Sequence, residues 1–241
     1  MPPHWSLTHP RKSPGIWRGN IPASTAEPNG ETKEAFEVIY YFDDLLRADN
    51  LDDALSRIAQ DFREKYKFPD IRQLGVVVAD VEKAAANLEA RGVGPFFIAS
   101  DTLPLWNERG VNKTFSGKLG MAVYREYEIE LLEPGVGSDF YKNYVDAQDR
   151  MVLQHLGFLV EDVDAWRNRL QQAGCETWVR GRIQSFPMTI DFAYLDTLRP
   201  AGIILEFIDM RFLGIRVKPP GPIYHALGRL EKWTGIRCLK F

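Results

Sequence analysis

The sequence predicts an α+β fold: two tandem βαβββ modules forming a cupped mixed sheet, with N-terminal helices before them and a C-terminal helical tail behind. Three observations carry this. "QLGVVVADVEKAAANLEARG" (73–92) and "HLGFLVEDVDAWRNRLQQAG" (155–174) align at a constant offset of 82, with Leu74, Gly75, Val78, Asp80, Val81, Leu88 and Gly92 over Leu156, Gly157, Val160, Asp162, Val163, Leu170 and Gly174. Each copy starts as a short apolar run and passes into a pattern of helical period, a strand followed by a helix. Further strand-like runs come after each copy, so one grammar is written twice. A small sheet of this kind has one face it must cover, and two of them pair to enclose a cup.

The elements run in order. Residues 1–31 are rich in Pro, Gly, Ser, Thr and Asn and read as an irregular arm, with Trp5, Ile16 and Trp17 available to pin it. From Thr32 to Lys67, within a helical extension spanning 32–69, Phe36, Ile39, Tyr40, Phe42, Leu45 and Leu46 recur at helical spacing. Leu51, Leu55, Ile58, Ala59 and Phe62 do so again, behind Asp49 or Asn50 as N-cap. These predict two amphipathic helices. The first module, 70–135, runs from the strand in "IRQLGVVVAD" through the helix "VEKAAANLEARG" to the strand "GPFFIAS". A loop "DTLPLWNERGVN" and the strand pair "LGMAVYR" and "EYEIELLEP" complete it.

A linker, 136–152, leads to the second module, 153–212: strand "LQHLGFLVED", helix "DVDAWRNRLQQAG", and strands "ETWVRGRI", "MTIDFAYLDT" and "AGIILEFIDM". The tail, 213–241, carries the helix-like "GPIYHALGRLEKW". Asp80 and Asp162 stand where helix N-caps belong, and Gly92 and Gly174 where a left-handed C-terminal residue belongs.

Composition excludes several classes. The 241 residues carry a net charge of −3 with no Lys/Arg-rich run, which argues against a nucleic-acid partner. No apolar stretch approaches the roughly 20 residues needed to span a bilayer, so no membrane partner is expected. The first residues lack the apolar core of a signal peptide, and two cysteines make no disulfide framework. A cytoplasmic protein is expected.

The chemistry lies in the strands. Side chains alternate faces along a strand, so Gln73, Gly75 and Val77 share one side and His155, Gly157 and Leu159 the equivalent side. Near the end of each module an apolar strand holds one carboxylate, Glu130 between Ile129 and Leu131, and Glu206 between Leu205 and Phe207. Taken singly, each has an ordinary reading. His155 can be a satisfied core residue, and Glu130 shares strand parity with Glu126 and Glu128, as on a solvent face. Together, Gln73, Glu130, His155 and Glu206 occupy two pairs of repeat-equivalent positions. Two carboxylates, an imidazole and an amide oxygen converging in a core need a cation. One divalent metal ion (Zn, Ni, Co, Mn or Fe) suits such N/O donors. His4 and His9 fall in the arm and His225 in the tail, so the repeated core offers no three-histidine site.

These units and the terminal "IELLEP" and "FAYLDTLRPAGIILEFID" resemble the vicinal oxygen chelate superfamily: glyoxalase I, methylmalonyl-CoA epimerase, extradiol dioxygenases and bleomycin-resistance proteins. The resemblance covers roughly 70–210, and "GVGPFFIASDTLPL" is most similar to the glyoxalase and epimerase branch. It implies metal ligands at Gln73, Glu130, His155 and Glu206, a set like that of glyoxalase I. Epimerases have His in place of Gln73 and Gln in place of Glu130, and extradiol dioxygenases use two His and one Glu. Where glyoxalase I grips glutathione with two Arg and an Asn, this chain has Val77, Met151 and Pro134, so a glutathione-linked substrate is not expected. The resemblance implies a metal-dependent isomerase, epimerase or lyase. It would move a proton next to a carbonyl of a small oxygenated substrate, with Glu206 as base and Glu130 as partner. The alternatives are an Fe(II)-dependent dioxygenase on the same scaffold and a non-catalytic small-molecule-binding protein of the resistance type. Trp106, Phe115, Arg125, Trp178, Arg180 and Met188 are candidates for the mouth of the cup. A homodimer is a possible assembly, and whether the cup forms within one chain or between two is open at this level.

Overall fold

The computed structural model describes residues 38–218, 221–235 and 239–240. Among the described residues, every strand and helix belongs to the unit Tyr40–Phe241. The arm with Trp5, Ile16 and Trp17, the helix start from Thr32 through Phe36, and His4, His9 and Cys238 lie outside the described residues.

The chain opens with a short strand β1 (Tyr40–Tyr41) and three short helices, α1 (Phe42–Leu46), α2 (Leu51–Arg57) and α3 (Gln60–Lys65). This corrects the expectation of two longer helices. Asn50 does cap α2, its side chain accepting from the amides of Asp52 and Asp53. The second predicted helix breaks because Ile58 is extended and Ala59 takes a left-handed conformation, φ 53°. The break turns both Leu55 and Phe62 into the core.

The first module comprises β2 (Gln73–Val77), α4 (Val81–Ala90), β3 (Phe97–Leu103), β4 (Leu105–Glu108), β5 (Val111–Asn112), β6 (Phe115–Tyr124) and β7 (Tyr127–Leu132). The second comprises β8 (Val152–Leu159), α5 (Val163–Gln172), β9 (Thr177–Ser185), β10 (Met188–Leu195), α6 (Leu198–Ala201) and β11 (Ile204–Phe212). After them come β12 (Ile215–Arg216), α7 (Gly221–Thr234) and β13 (Leu239–Lys240). The two module helices begin and end as their sequences require. Asp80 accepts from the Lys83 amide at 3.0 Å and Asp162 from the Ala165 amide at 2.9 Å. Gly92 and Gly174 carry φ of 84° and 88°, which cost glycine nothing.

The strands form one sheet in the order β3-β6-β7-β2-β8-β11-β10-β9-β4. The modules meet at its centre, where β2 and β8 run antiparallel; β2 pairs parallel with β7, and β8 parallel with β11. The segment read from sequence as a loop, 101–112, is largely strand. Leu105–Glu108 pairs with β9 of the other module, burying Trp106 to 1% exposure. Only Pro104 separates β3 from β4, so one continuous stretch carries the chain from β6 on one side of the sheet to β9 on the other. Both modules of the cup therefore come from a single chain.

The two sheet faces have separate cores. The outer face is covered by α4, α5 and the N-terminal helices, with Phe42, Leu55, Leu74, Leu88, Phe158, Leu170 and Phe207 among its buried residues. Phe68 joins these layers, its ring 4.9 Å from Phe158 and 5.3 Å from Trp166. The inner face is plugged at one end by aromatic rings. Trp106 stacks on Phe115 at 4.2 Å, and Phe140 and Tyr141, from the stretch joining the modules, pack edge-on against Trp106. No described helix is long and apolar enough to cross a membrane.

Candidate metal centre

The centre is built by the register of the four middle strands. Gly75 on β2 lies between Glu130 on β7 and His155 on β8. One step along, Gly157 on β8 lies between Gln73 on β2 and Glu206 on β11. Each glycine is an empty square beside two functional side chains. The space is used: a Cβ at Gly75 would stand 1.7 Å from His155 Cε1, and one at Gly157 would stand 2.8 Å from Gln73 Oε1. The repeated Leu-Gly pair seen in the sequence is thus the clearance for the inward groups.

His155 Nε2 lies 3.2 Å from Glu206 Oε2 and 3.6 Å from Glu130 Oε2. One donor atom from each of the three residues falls within 4.8 Å of the others. Gln73 shares the face, with its amide oxygen over Gly157. Exposure is 0% for His155, 3% for Glu206, 6% for Gln73 and 9% for Glu130. Gln73 Oε1, Glu130 Oε2, His155 Nε2 and Glu206 Oε2 are all buried, and none of them meets a hydrogen-bond partner outside this group. Leaving one such atom unsatisfied costs about 1–3 kcal/mol, more when charged. Four on one patch of sheet mark a place built for something that binds lone pairs.

The electrostatics agree. Burial alone would lower the His155 pKa, but the Glu206 and Glu130 carboxylates outweigh it and push it up to about 9. Burial raises Glu206, with His155 pulling the other way. A shared proton on Nε2 is thus what the bare cluster uses to offset two buried negative charges, and a divalent cation would do the same more completely.

A second layer fixes the donors. β8 bulges opposite Gly75, so Gln154 and His155 fall beside the same partner residue. Gln154 Nε2 donates to the Phe140 carbonyl at 3.4 Å, which turns its oxygen toward His155 Nδ1 at 2.9 Å. Nδ1 carries the hydrogen in that arrangement and Nε2 faces the carboxylates. The Tyr194 ring packs edge-on against His155 at 4.9 Å, its hydroxyl bonded to Glu206 and, at 3.0 Å, to that of Tyr141.

The four sequence-predicted donors thus share one face, three of them as a compact group. Glu128 was missed: rather than facing solvent it is 6% exposed on the same face, one register step from Glu130. Burial, then the Glu130 and Glu206 charges, push its pKa up to about 8, and it hydrogen-bonds Tyr224 of α7. Its registration beside Gln73 was not visible in sequence. Tyr141, Tyr194 and Gln154 were missed likewise, Gln154 because strict alternation puts it on the wrong face.

Most of the candidate mouth residues have the ordinary packing or surface role that is each one's alternative reading. Trp106 and Phe115 belong to the plugged end. Arg180 lies on the outer face, paired with Asp164 and Asp191. Trp178 carries the Arg109 guanidinium on its ring, and Arg125 sits at the β6–β7 turn near Asp52. Met188 does share a face with Ile190 toward the open end. His225 bonds the backbone of Val123, away from the donor group.

Residues 72–194 match the family model described as Glyoxalase/Bleomycin resistance protein/Dioxygenase superfamily. Solved structures that match the chain include a hypothetical protein from Bacillus halodurans C-125, 14% identical, covering 58% of this chain and 92% of its own at a TM-score of 0.40. Methylmalonyl-CoA epimerase from Mycobacterium tuberculosis is 16% identical, covering 57% and 85% with a TM-score of 0.38. A glyoxalase family protein from Bacillus cereus is 18% identical, covering 58% and 93% with a TM-score of 0.23. Among curated proteins no match is found. With two βαβββ modules closing one cup and the family match running across both, the chain belongs to the glyoxalase/bleomycin resistance protein/dioxygenase superfamily, the vicinal oxygen chelate group.

Proposed function

We propose that Gln73, Glu130, His155 and Glu206 hold one divalent metal ion, and that the chain catalyses proton transfer next to a carbonyl, as a glyoxalase-like isomerase, epimerase or lyase. The observation that carries this is the set of four buried donor atoms without partners outside their own group, on repeat-equivalent positions around two glycines. The bound ion would supply Lewis-acid polarisation of a substrate oxygen, stabilising the enolate left when the neighbouring carbon loses its proton.

The chain's own groups do the rest. Glu206, steadied by the Tyr194 hydroxyl and close to His155, takes the proton. Glu130, on the other side of Gly75 from His155, returns it at the second position. Both carboxylates belong to the proposed ligand set, so the base role requires that one of them loosen during turnover. The aromatic plug of Trp106, Phe140 and Tyr141 keeps water from one end of the cup. Val77 is fully buried where a glutathione-binding arginine would stand in glyoxalase I, which supports a substrate not linked to glutathione.

The test is metal content after reconstitution with Zn, Ni, Co, Mn and Fe(II), for wild type and Glu206→Gln, with solvent-deuterium exchange into α-carbonyl compounds. The reading requires about one ion per chain and exchange that Glu206→Gln abolishes. Absence of bound ion in every case refutes it, and oxygen uptake with Fe(II) without deuterium exchange transfers the chain to the dioxygenase reading.

A further inference from the structure

The wall of the cup beyond the donor group has a uniform chemistry. From Glu206 outward along β11, the inward positions are Ile208, Met210 and Phe212, with exposures of 4%, 4% and 45%. Opposite Ile208 stands Phe192, and opposite Met210 stands Ile190, which faces Ile183 on β9. The face therefore runs, without a polar interruption on β11, from the buried carboxylate to solvent, passing beside the aromatic plug: Trp106 stands level with Phe192 across Gly181, its ring 6.2 Å from that of Phe192. Ile183 and Ile190 are half-buried, so the face is within reach of a bound molecule.

Charge on the inner face has one sign. Apart from His155 and the Tyr194 phenol, the ionisable side chains at inward registers of the ring strands are the carboxylates Asp101, Glu108, Glu128, Glu130 and Glu206. Among the described residues, no Lys or Arg occupies such a register. Arg180 and Arg182 alternate with the inward Val179, Gly181 and Ile183, so they fall on the outer face, and both are tied to Asp191. Arg211 alternates with Met210 and Phe212 and is tied to Asp209. Lys113, from beyond β5, reaches only Glu108, itself hydrogen-bonded to Trp106 of the plug. A phosphate, sulfate or distal carboxylate on the substrate would be desolvated against apolar walls in a negative field with no cation to meet it.

We infer that the substrate is an uncharged molecule whose body is apolar, an alkyl or aryl group lying along Ile208, Met210, Ile190 and Ile183 while its oxygenated head meets the donor group. This rests on reading the donor group as the reaction site and deepens that reading by naming the class of molecule it takes.

The experiment is calorimetric binding of butane-2,3-dione, hexane-2,3-dione and octane-2,3-dione, with 6,7-dioxooctanoate as the analogue bearing a terminal carboxylate. Zn-loaded and metal-free protein are both used. Affinity rises roughly fourfold per added methylene while the wall is being covered. The terminal carboxylate lowers it at least tenfold relative to octane-2,3-dione. Ile183→Lys removes most of that discrimination by offering the carboxylate a partner. A flat series, or a carboxylate bound as tightly as the neutral diketone by wild type, overturns the inference, and does so with bound Zn leaving the proposed chemistry standing. A rising series in a protein that takes up no metal has the opposite meaning: the apolar wall holds and the metal reading falls. A flat series in a protein that self-associates, and that Ile183→Lys renders monomeric, also overturns it, since the face then covers a second copy of the chain.

Discussion

Gly75→Ala is the sharpest single change for the donor group. An alanine Cβ there would lie 1.7 Å from Cε1, 2.0 Å from Nε2 and 2.2 Å from Nδ1 of His155. Carbon atoms pack at about 3.5–4.0 Å, so the ring must retreat by roughly 2 Å or β2 must move by as much. The ring has nowhere to go while its Nδ1 is held by Gln154 and its edge by Tyr194. Metal–nitrogen bonds are about 2.0–2.1 Å long with about 0.2 Å of tolerance, so either movement removes His155 as a ligand. Loss of an outer partner alone costs about 10–100-fold in metal affinity, and loss of the ligand itself should exceed about 100-fold. Overpacking costs about 1–3 kcal/mol, which for a chain of this length lowers Tm by roughly 2–12 °C. Gly157→Ala is the graded control. Its Cβ would stand 2.7 Å from Cβ and 2.8 Å from Oε1 of Gln73; the amide can turn aside, and the Cβ contact asks β2 and β8 for a smaller displacement than the clash at Gly75, so about tenfold is expected there. A chelator-competition titration with Zn, run beside thermal melts, reads both quantities. Wild-type affinity in Gly75→Ala, or the reverse ranking of the two variants, would refute the argument that these glycines are clearance for donors.

The same geometry sets three further outcomes. In the metal-free protein His155 is held up to about 9, and an unfolded histidine titrates near 6.5, so its stabilisation is full below about pH 6.5 and disappears as pH climbs through 9. Glu128, held up to about 8, has the same sign, because the native state keeps a proton the unfolded chain gives up near pH 4.3. The metal-free Tm should therefore fall from pH 6 to 9 while Zn affinity rises, and melts with and without Zn that show the opposite trends count against the cluster. Gln154→Leu should weaken Zn binding about 10–100-fold with little change in secondary structure, since the Nδ1 partner and the long bond to the Phe140 carbonyl are lost while the strand pairing of β8 stays; unchanged affinity would show that Gln154 does not orient the ring. Trp106→Ala should cost about 3–5 kcal/mol, seen as a shift of the urea midpoint, and a loss below about 1 kcal/mol would mean that the plug is not packed as described.

The site was legible to the extent that it was local or repeated. Gln73, His155, Glu130 and Glu206 stood out because duplication makes equivalent positions comparable, and alternation then assigns a face without any knowledge of the partner strand. Gln154 was hidden for the same reason: a bulge adds one residue and breaks the period of two. Glu128 was read as a solvent-facing glutamate because alternation gives a face but not its cover. The cover comes from the neighbouring strands and from Tyr224 of α7, far along the chain. Arg180 was a candidate for the mouth as well as for the surface, and its parity with Arg182 and its pairing with Asp164 and Asp191 put it outside.

By itself the sequence determined the two modules, their helix caps and glycine stops, and the identity of four inward polar groups. All of these depend on backbone period and on neighbours a few residues away. Only the tertiary structure decided that Leu105–Glu108 is a strand closing the cup onto β9, that Phe140 and Tyr141 plug one end, and that Glu130, His155 and Glu206 come within 4.8 Å. The reason is physical. Register and closure are set by which strands pair, and pairing is chosen by the burial of whole faces, a quantity that belongs to the assembled sheet.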